Sequence, residues 1–288
     1  MKFETKFLKR GEINLAYQVF GEDCSEDLIL VPGIVSHVEF FHKFPGFTKF
    51  IKQLSEHYRV LLFDKRGSGL SNEMDWAPSL EEREKDIDLV MEENSSEKAI
   101  LLGFSEGAQV SALYAAKNPS KVSRMILVSG LPHSPKLEKL WWMPKFFKYL
   151  ILKKGVDKTV SDWGKGFFMK KSLPKEFLRG MPAEFYQELS RFEREAVSPE
   201  FLKKLLYKSG RHDVTPFLKN IKAPTLVAHS KDDQVVPFYL GEKLHDLIEG
   251  SQFLPLNGLG HSIFYDPKGL IISSFLAFLS NAKKVNSP

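Results

Sequence analysis

An apolar run, Ile100-Leu101-Leu102, enters Gly103-Phe104-Ser105-Glu106-Gly107 and passes at once into a helix-forming stretch from Ala108 to Lys117. This Gly-x-Ser-x-Gly segment constrains the fold more than any other part of the chain. A buried strand that turns this sharply into a helix holds the serine hydroxyl clear of the sheet on a strained backbone. Gly103 and Gly107 fit the turn because a β-carbon at either place would collide with a neighbouring strand or helix. The helix start aims free N–H groups, and the positive end of its dipole, at the place where an oxyanion would form. Ser105 is therefore the candidate nucleophile.

A serine hydroxyl needs a base to take its proton, and the base needs an orienting carboxylate. On a sheet of this kind they follow the serine in the order acid, then histidine. The short strand Ala223–His229 ends in Ser230-Lys231-Asp232-Asp233, and Ser251–Pro255 leads into Asn257-Gly258-Leu259-Gly260-His261. His261, followed by a helical run from Ile263, is the candidate base. Asp233, four residues before Pro237, is favoured as the acid over Asp232, which is read as a turn-capping residue. The other histidines, His37, His42, His57, His133, His212, His229 and His245, are expected at the surface or behind the site. His229 precedes the acid and so stands in the wrong order for the base.

Strands and helices alternate around this core. Thr5–Lys9 and Ile13–Phe20 read as an antiparallel pair turning at Arg10-Gly11. Leu28–Val31, Val60–Phe63, Ala99–Leu102 and Val122–Val128 read as buried strands. Phe47–His57 and a helix opened by the capping box Ser79-Leu80-Glu81-Glu82 lie between them. The alternation predicts a mostly parallel sheet flanked by helices. It stops between Pro132 and Asp213, where helical runs are separated by prolines and glycines, and resumes at Pro216–Ile221.

These residues resemble the α/β-hydrolase fold superfamily, in its single-domain, lid-bearing serine-hydrolase form. Val31-Pro32-Gly33-Ile34 resembles the oxyanion loop after the third strand, with Pro32 where the group usually has histidine. Asp64-Lys65-Arg66-Gly67-Ser68-Gly69-Leu70-Ser71 is similar to the Asp-x-Arg-Gly-x-Gly-x-Ser loop after the fourth strand. The elbow, Asp233 and His261 complete the likeness. In texture the chain is similar to hydrolase domains found beside nucleotide cyclase domains. The resemblance implies backbone oxyanion donors at Ile34 and Glu106. It also implies a core over residues 1–131 and 214–288, with a helical lid over 132–213 inserted after the sixth strand.

The rest of the sequence narrows the function. The chain has 288 residues, a formal net charge of +5 and one cysteine, Cys24, so no intramolecular disulfide can form. No nucleic-acid-recognition motif accompanies the modest positive charge. No signal peptide or run of about 18 apolar residues is present, which points to the cytoplasm. No metal or other cofactor is expected.

The lid carries Trp141, Trp142, Phe146, Phe147, Tyr149, Trp163, Phe167, Phe168, Phe177, Phe185, Tyr186, Phe192, Phe201 and Tyr207. It also carries Lys136, Lys139, Lys145, Lys148 and the lysine pairs at 153–154, 170–171 and 203–204. Some of these aromatics are expected to line a pocket for a hydrophobic small molecule, and the rest to pack the lid onto the body. The expected activity is hydrolysis of a carboxylic ester with an apolar acyl or aryl group. A serine at the elbow disfavours dehalogenase and epoxide-hydrolase chemistry, whose members use a carboxylate there. The alternatives are an aminopeptidase resembling proline iminopeptidases, with Glu184, Glu188, Glu193 or Glu195 holding the amine, and a slow-turnover binding or signalling protein on the same scaffold. The sequence leaves the oligomeric state open.

Overall fold

A computed structural model describes residues 3–134, 145–262, 264, 266 and 269–285. Its framework is one eight-stranded sheet in the order β1-β2-β4-β3-β5-β6-β7-β8. The strands are β1 (Lys6–Arg10), β2 (Ile13–Phe20), β3 (Asp27–Val31), β4 (Arg59–Phe63), β5 (Ala99–Phe104), β6 (Val122–Val128), β7 (Thr225–Ser230) and β8 (Gln252–Leu256). β1 pairs antiparallel with β2, and β2 with β4; all later pairings are parallel. Helices cover both faces, so the central strands are apolar on both sides; every residue of β3 is buried.

Helices α1 (Pro45–Ser55), α2 (Leu80–Glu93) and α3 (Glu106–Lys117) connect the first strands. Ser79 caps α2: its hydroxyl accepts from Glu82 N at 3.2 Å, while the Glu82 carboxylate accepts from Ser79 N at 2.7 Å. Such a cap contributes about 1 kcal/mol.

Between β6 and β7 lie α4 (Lys145–Asp162), α5 (Phe167–Ser172), α6 (Lys175–Arg179), α7 (Ala183–Ala196) and α8 (Pro199–Ser209). This helical lid follows the sixth strand. The two chain segments at its base meet at the His133–Asp213 bridge, and Val214 N donates to Pro132 O at 2.8 Å. The chain closes with α9 (Phe238–Asp246) and α10 (Leu270–Val285). The reading of a helix from Ile263 falls partly on Ile263, Tyr265, Pro267 and Lys268, which lie outside the described residues.

Two apolar clusters fill the faces of the sheet, one under α2 and α3 and the other under α1 and α10. A third joins lid to body: Trp163, Phe192, Phe201 and Leu205 pack with Val35, Phe40 and Met74. These aromatics serve packing, as expected of part of the set. Trp141, Trp142, Lys136 and Lys139 lie outside the described residues, as do the side chains of Lys145, Phe146, Phe147 and Lys148. Several lid lysines are answered by acids on the outer face, Lys153 by Asp157 at 2.5 Å and Lys158 by Asp162 at 3.1 Å. Exposed pairs of this kind stabilise little.

α9 has no counterpart in the sequence reading. Gly241 lies within it and lowers its helical propensity. The structure gives the reason for that glycine: a Cβ there would stand 2.3 Å from His229 Nδ1.

Candidate active site

β5 delivers Ser105 to the carboxyl edge of the parallel strands, where such sheets commonly bind ligands. The tight turn needs two glycines. A Cβ on Gly107 would lie 2.1 Å from Val31 O, and one on Gly103 would lie 2.6 Å from Gly107 O. Ser105 itself has φ 56° and ψ −120°, outside the regions that L-residues favour. Strain of this kind costs of order 1–3 kcal/mol and persists because the surrounding contacts fix the chain.

His261 Nε2 lies 3.0 Å from Ser105 Oγ, and its Nδ1 lies 2.7 Å from Asp233 Oδ2. An ionised carboxylate can only accept, so Nδ1 carries the proton and Nε2 accepts from the serine hydroxyl. Asp233 Oδ1 accepts from Val235 N and Val236 N, both at 2.8 Å. Burial pushes the Asp233 carboxyl up. The charge of His261 and hydrogen bonds from His229, His261 and Val236 outweigh burial and hold it well below the usual carboxylate range. Asp233 therefore stays ionised as the partner of His261.

Asp232 has a different place. It accepts from Gly258 N at 2.8 Å and Gly260 N at 3.1 Å, and so shapes the loop that carries His261. The same loop is held from two other directions. Ser129 Oγ donates to His261 O at 3.0 Å, and the N–H groups of His261 and Ser262 donate to Ser172 O in α5.

Ile34 and Glu106 flank Ser105. Glu106 opens α3, and N–H groups in a first helical turn have no carbonyl four residues behind them. Ile34 lies in the loop after β3, and a Cβ on the preceding Gly33 would come to 3.4 Å from Ser105 Cβ. Buried Asp64 holds this loop, accepting from Val38 N at 3.1 Å and from Leu70 N at 3.0 Å in the loop after β4. Burial raises its carboxyl.

His37, His212 and His229 are 7%, 6% and 0% exposed, so they are interior residues. His229 Nε2 donates to Val236 O at 3.0 Å and lies 3.3 Å from Asp233 Oδ2, bracing the acid from behind.

A charge cluster that sequence reasoning missed surrounds the Glu106 side chain. Glu106 Oε2 accepts from Lys65 Nζ at 2.7 Å and also from Arg83, with His212 Nδ1 3.5 Å from Oε1. Burial alone would raise the Glu106 carboxyl, but Arg83, Lys65 and His212 hold it at about 2. Burial lowers the Lys65 ammonium to about 8. The pair is thus ionised on both sides at neutral pH.

Glu106→Gln would leave two buried cations without their counter-charge. It is expected to destabilise the protein by about 3–5 kcal/mol near pH 7, read as a fall in the urea midpoint. The folded value of about 2 lies below the ordinary 4.5. The stabilisation from Glu106 is therefore complete above about pH 4.5 and is lost as pH falls towards 2. The gap between wild type and variant should narrow across that window. A gap that stays constant with pH would refute the ionised carboxylate.

A cavity of about 570 Å³ opens against Ser105 and His261. Phe41, Phe44 and Phe104 of the body and Phe168, Phe177, Phe185 and Phe192 of the lid are among its walls, so four lid aromatics from the expected set line a pocket. Lys43, Lys49 and Asp266 also border it.

The alpha/beta hydrolase fold family model matches residues 28–268, and the chain belongs to that family. It is 28% identical over 236 residues to the AB hydrolase superfamily protein YisY of Bacillus subtilis, covering 78% of this chain and 82% of the relative. It is 27% identical over 243 residues to a bifunctional esterase/perhydrolase of Acinetobacter calcoaceticus, covering 78% and 83%. The crystal structure of MGS-M2, an alpha/beta hydrolase enzyme from a Medee basin deep-sea metagenome library, superposes with a TM-score of 0.78. It is 18% identical and covers 96% of this chain and 97% of that one. Family and relatives support a hydrolase. No helix among the described residues is long and apolar enough to cross a membrane.

Proposed function

We propose that the protein is a serine hydrolase that cleaves a carboxylic ester with an apolar acyl or aryl group. The observation that carries this reading is the hydrogen-bonded line from Asp233 through His261 to Ser105, at the wall of the phenylalanine-lined cavity. His261 takes the Ser105 proton as Oγ attacks the ester carbonyl. Asp233 holds the imidazole in the required tautomer and stabilises its cation. The N–H groups of Ile34 and Glu106 receive the developing oxyanion, and one such donor is typically worth about 3–4 kcal/mol. His261 then protonates the leaving alcohol and activates the water that releases the acid. In this reading residues 132–213 form the lid over the site, and residues 1–131 and 214–288 form the core.

The aminopeptidase alternative finds little support. Glu193 accepts from the N–H groups of Gly164, Gly166 and Met169. Glu188 is paired with Lys43, and Glu195 with Arg191, while Glu184 is exposed. Three of the four carboxylates are thus engaged by other groups, and the fourth is exposed.

The test uses p-nitrophenyl esters of rising acyl length. kcat/KM is expected to climb from acetate to octanoate, since each buried methylene contributes about 0.8 kcal/mol. A fluorophosphonate probe is expected to label Ser105 and no other residue. Absence of both labelling and turnover would remove the reading.

A further inference from the structure

Ser105 stands at the junction of two cavities. Beside the large one lies a second of about 230 Å³, and Ile34, Ser105 and Phe168 border both. The second is mostly apolar, with Leu131, Leu152, Val156, Leu206 and Val235 among its walls. Its hydroxyl groups are already engaged: Thr159 and Ser209 donate to Gly155 O and Leu206 O within their own helices. The Glu106 carboxylate is held by Lys65 and Arg83. A charged or strongly hydrated group would lose its water there without recovering those bonds. A substrate that fills both cavities is therefore apolar on both sides of its carbonyl.

The two sides are not equivalent. As Ser105 Oγ bonds to the carbonyl carbon, the bond from that carbon to the alcohol oxygen breaks. The leaving oxygen then takes the proton that His261 Nε2 received from the serine. It must lie within hydrogen-bond reach of Nε2. His261 and Ser262 border the large cavity and not the small one. Glu106, which follows the serine on its other side, borders the small cavity and not the large one. The alcohol arm thus leads into the large cavity, and the small one is left for the acyl chain. At about 30 Å³ for each water-sized group, the small cavity holds about eight heavy atoms and the large one about nineteen.

We propose that the small cavity receives the acyl chain and the large cavity the alcohol. The preferred substrate is then an ester of a compact apolar acid, no longer than about eight carbons, with a long apolar alcohol. The inference rests on the ester-hydrolase reading of Ser105 and adds the substrate class and orientation of the same site.

A pair of isomers tests it with the full chain. Dodecyl hexanoate and hexyl dodecanoate contain the same atoms and the same kind of ester bond, and differ in which arm is long. Released acid is measured by chromatography to give kcat/KM. Dodecyl hexanoate is expected to be preferred about tenfold or more. About four methylenes of a dodecanoyl chain would stay outside the small cavity, and each buried methylene is worth about fourfold. Thr159→Phe, and separately Ser209→Phe, narrow the small cavity and should lower the ratio of dodecyl hexanoate to dodecyl acetate in kcat/KM by about tenfold. That ratio does not depend on the fraction of folded protein. Equal rates on the two isomers, a preference for hexyl dodecanoate, or a ratio unmoved by both variants would overturn the assignment and leave the hydrolase reading standing. Labelling of Ser105 by the fluorophosphonate with neither isomer cleaved would also overturn it. If Ser105 is not labelled and neither isomer is cleaved, the hydrolase reading falls, and the assignment with it.

Discussion

Ser105→Ala is expected to lower kcat on p-nitrophenyl octanoate by about 10⁵-fold or more, with KM changed little. Removing a serine nucleophile from a line of this kind costs about 10⁶-fold in kcat, and the residue that remains comes from oxyanion binding and substrate positioning. The cavity keeps its walls, since Ser105 contributes one hydroxyl to a surface made mostly of phenylalanine and aliphatic side chains. Alanine retains the β-carbon and takes up the same strained φ of 56°, so the thermal midpoint should move little. A variant that hydrolyses the ester within tenfold of wild type would show that another group attacks the carbonyl.

Asp233→Asn is the second large effect, a fall in kcat of about 10³–10⁴-fold. An asparagine that offers N–H to His261 Nδ1 favours the tautomer with the proton on Nε2, the atom that must accept from Ser105 Oγ. The neighbouring Asp232→Asn should cost less than about tenfold, because one amide oxygen can still accept from a loop N–H. Both variants are read on the same ester, with circular dichroism to confirm the fold. A reversed order of the two effects would exchange the roles of the adjacent aspartates.

Much of this arrangement is legible in the chain because it is local. The glycines at the elbow, the cap at Ser79 and the apolar strands each declare themselves within a few residues. The strand ends that carry Asp233 and His261 are marked by Asp, Gly and Pro in the same way. What stayed hidden depends on partners distant in sequence. Lys65 reads as one more basic residue until Glu106, 41 positions away, is seen to share its burial. Ser129 reads as a strand end until its hydroxyl is found on His261 O. Gly241 argues against α9 on propensity, and only the ring of His229 explains it. The lid is the least legible part. Its aromatics have similar spacing whether they pack against the body, as Trp163 and Phe201 do, or face the cavity, as Phe177 and Phe185 do.

The carbonyl of Ser172 takes the N–H bonds of both His261 and Ser262, so the insertion and the imidazole-bearing segment are stitched together. Trimming the helical excursion to expose the cleft would cut that stitch. A shorter cover would have to supply a replacement acceptor at the same point, or the imidazole would keep only the holds that Asp232 and Ser129 give its loop.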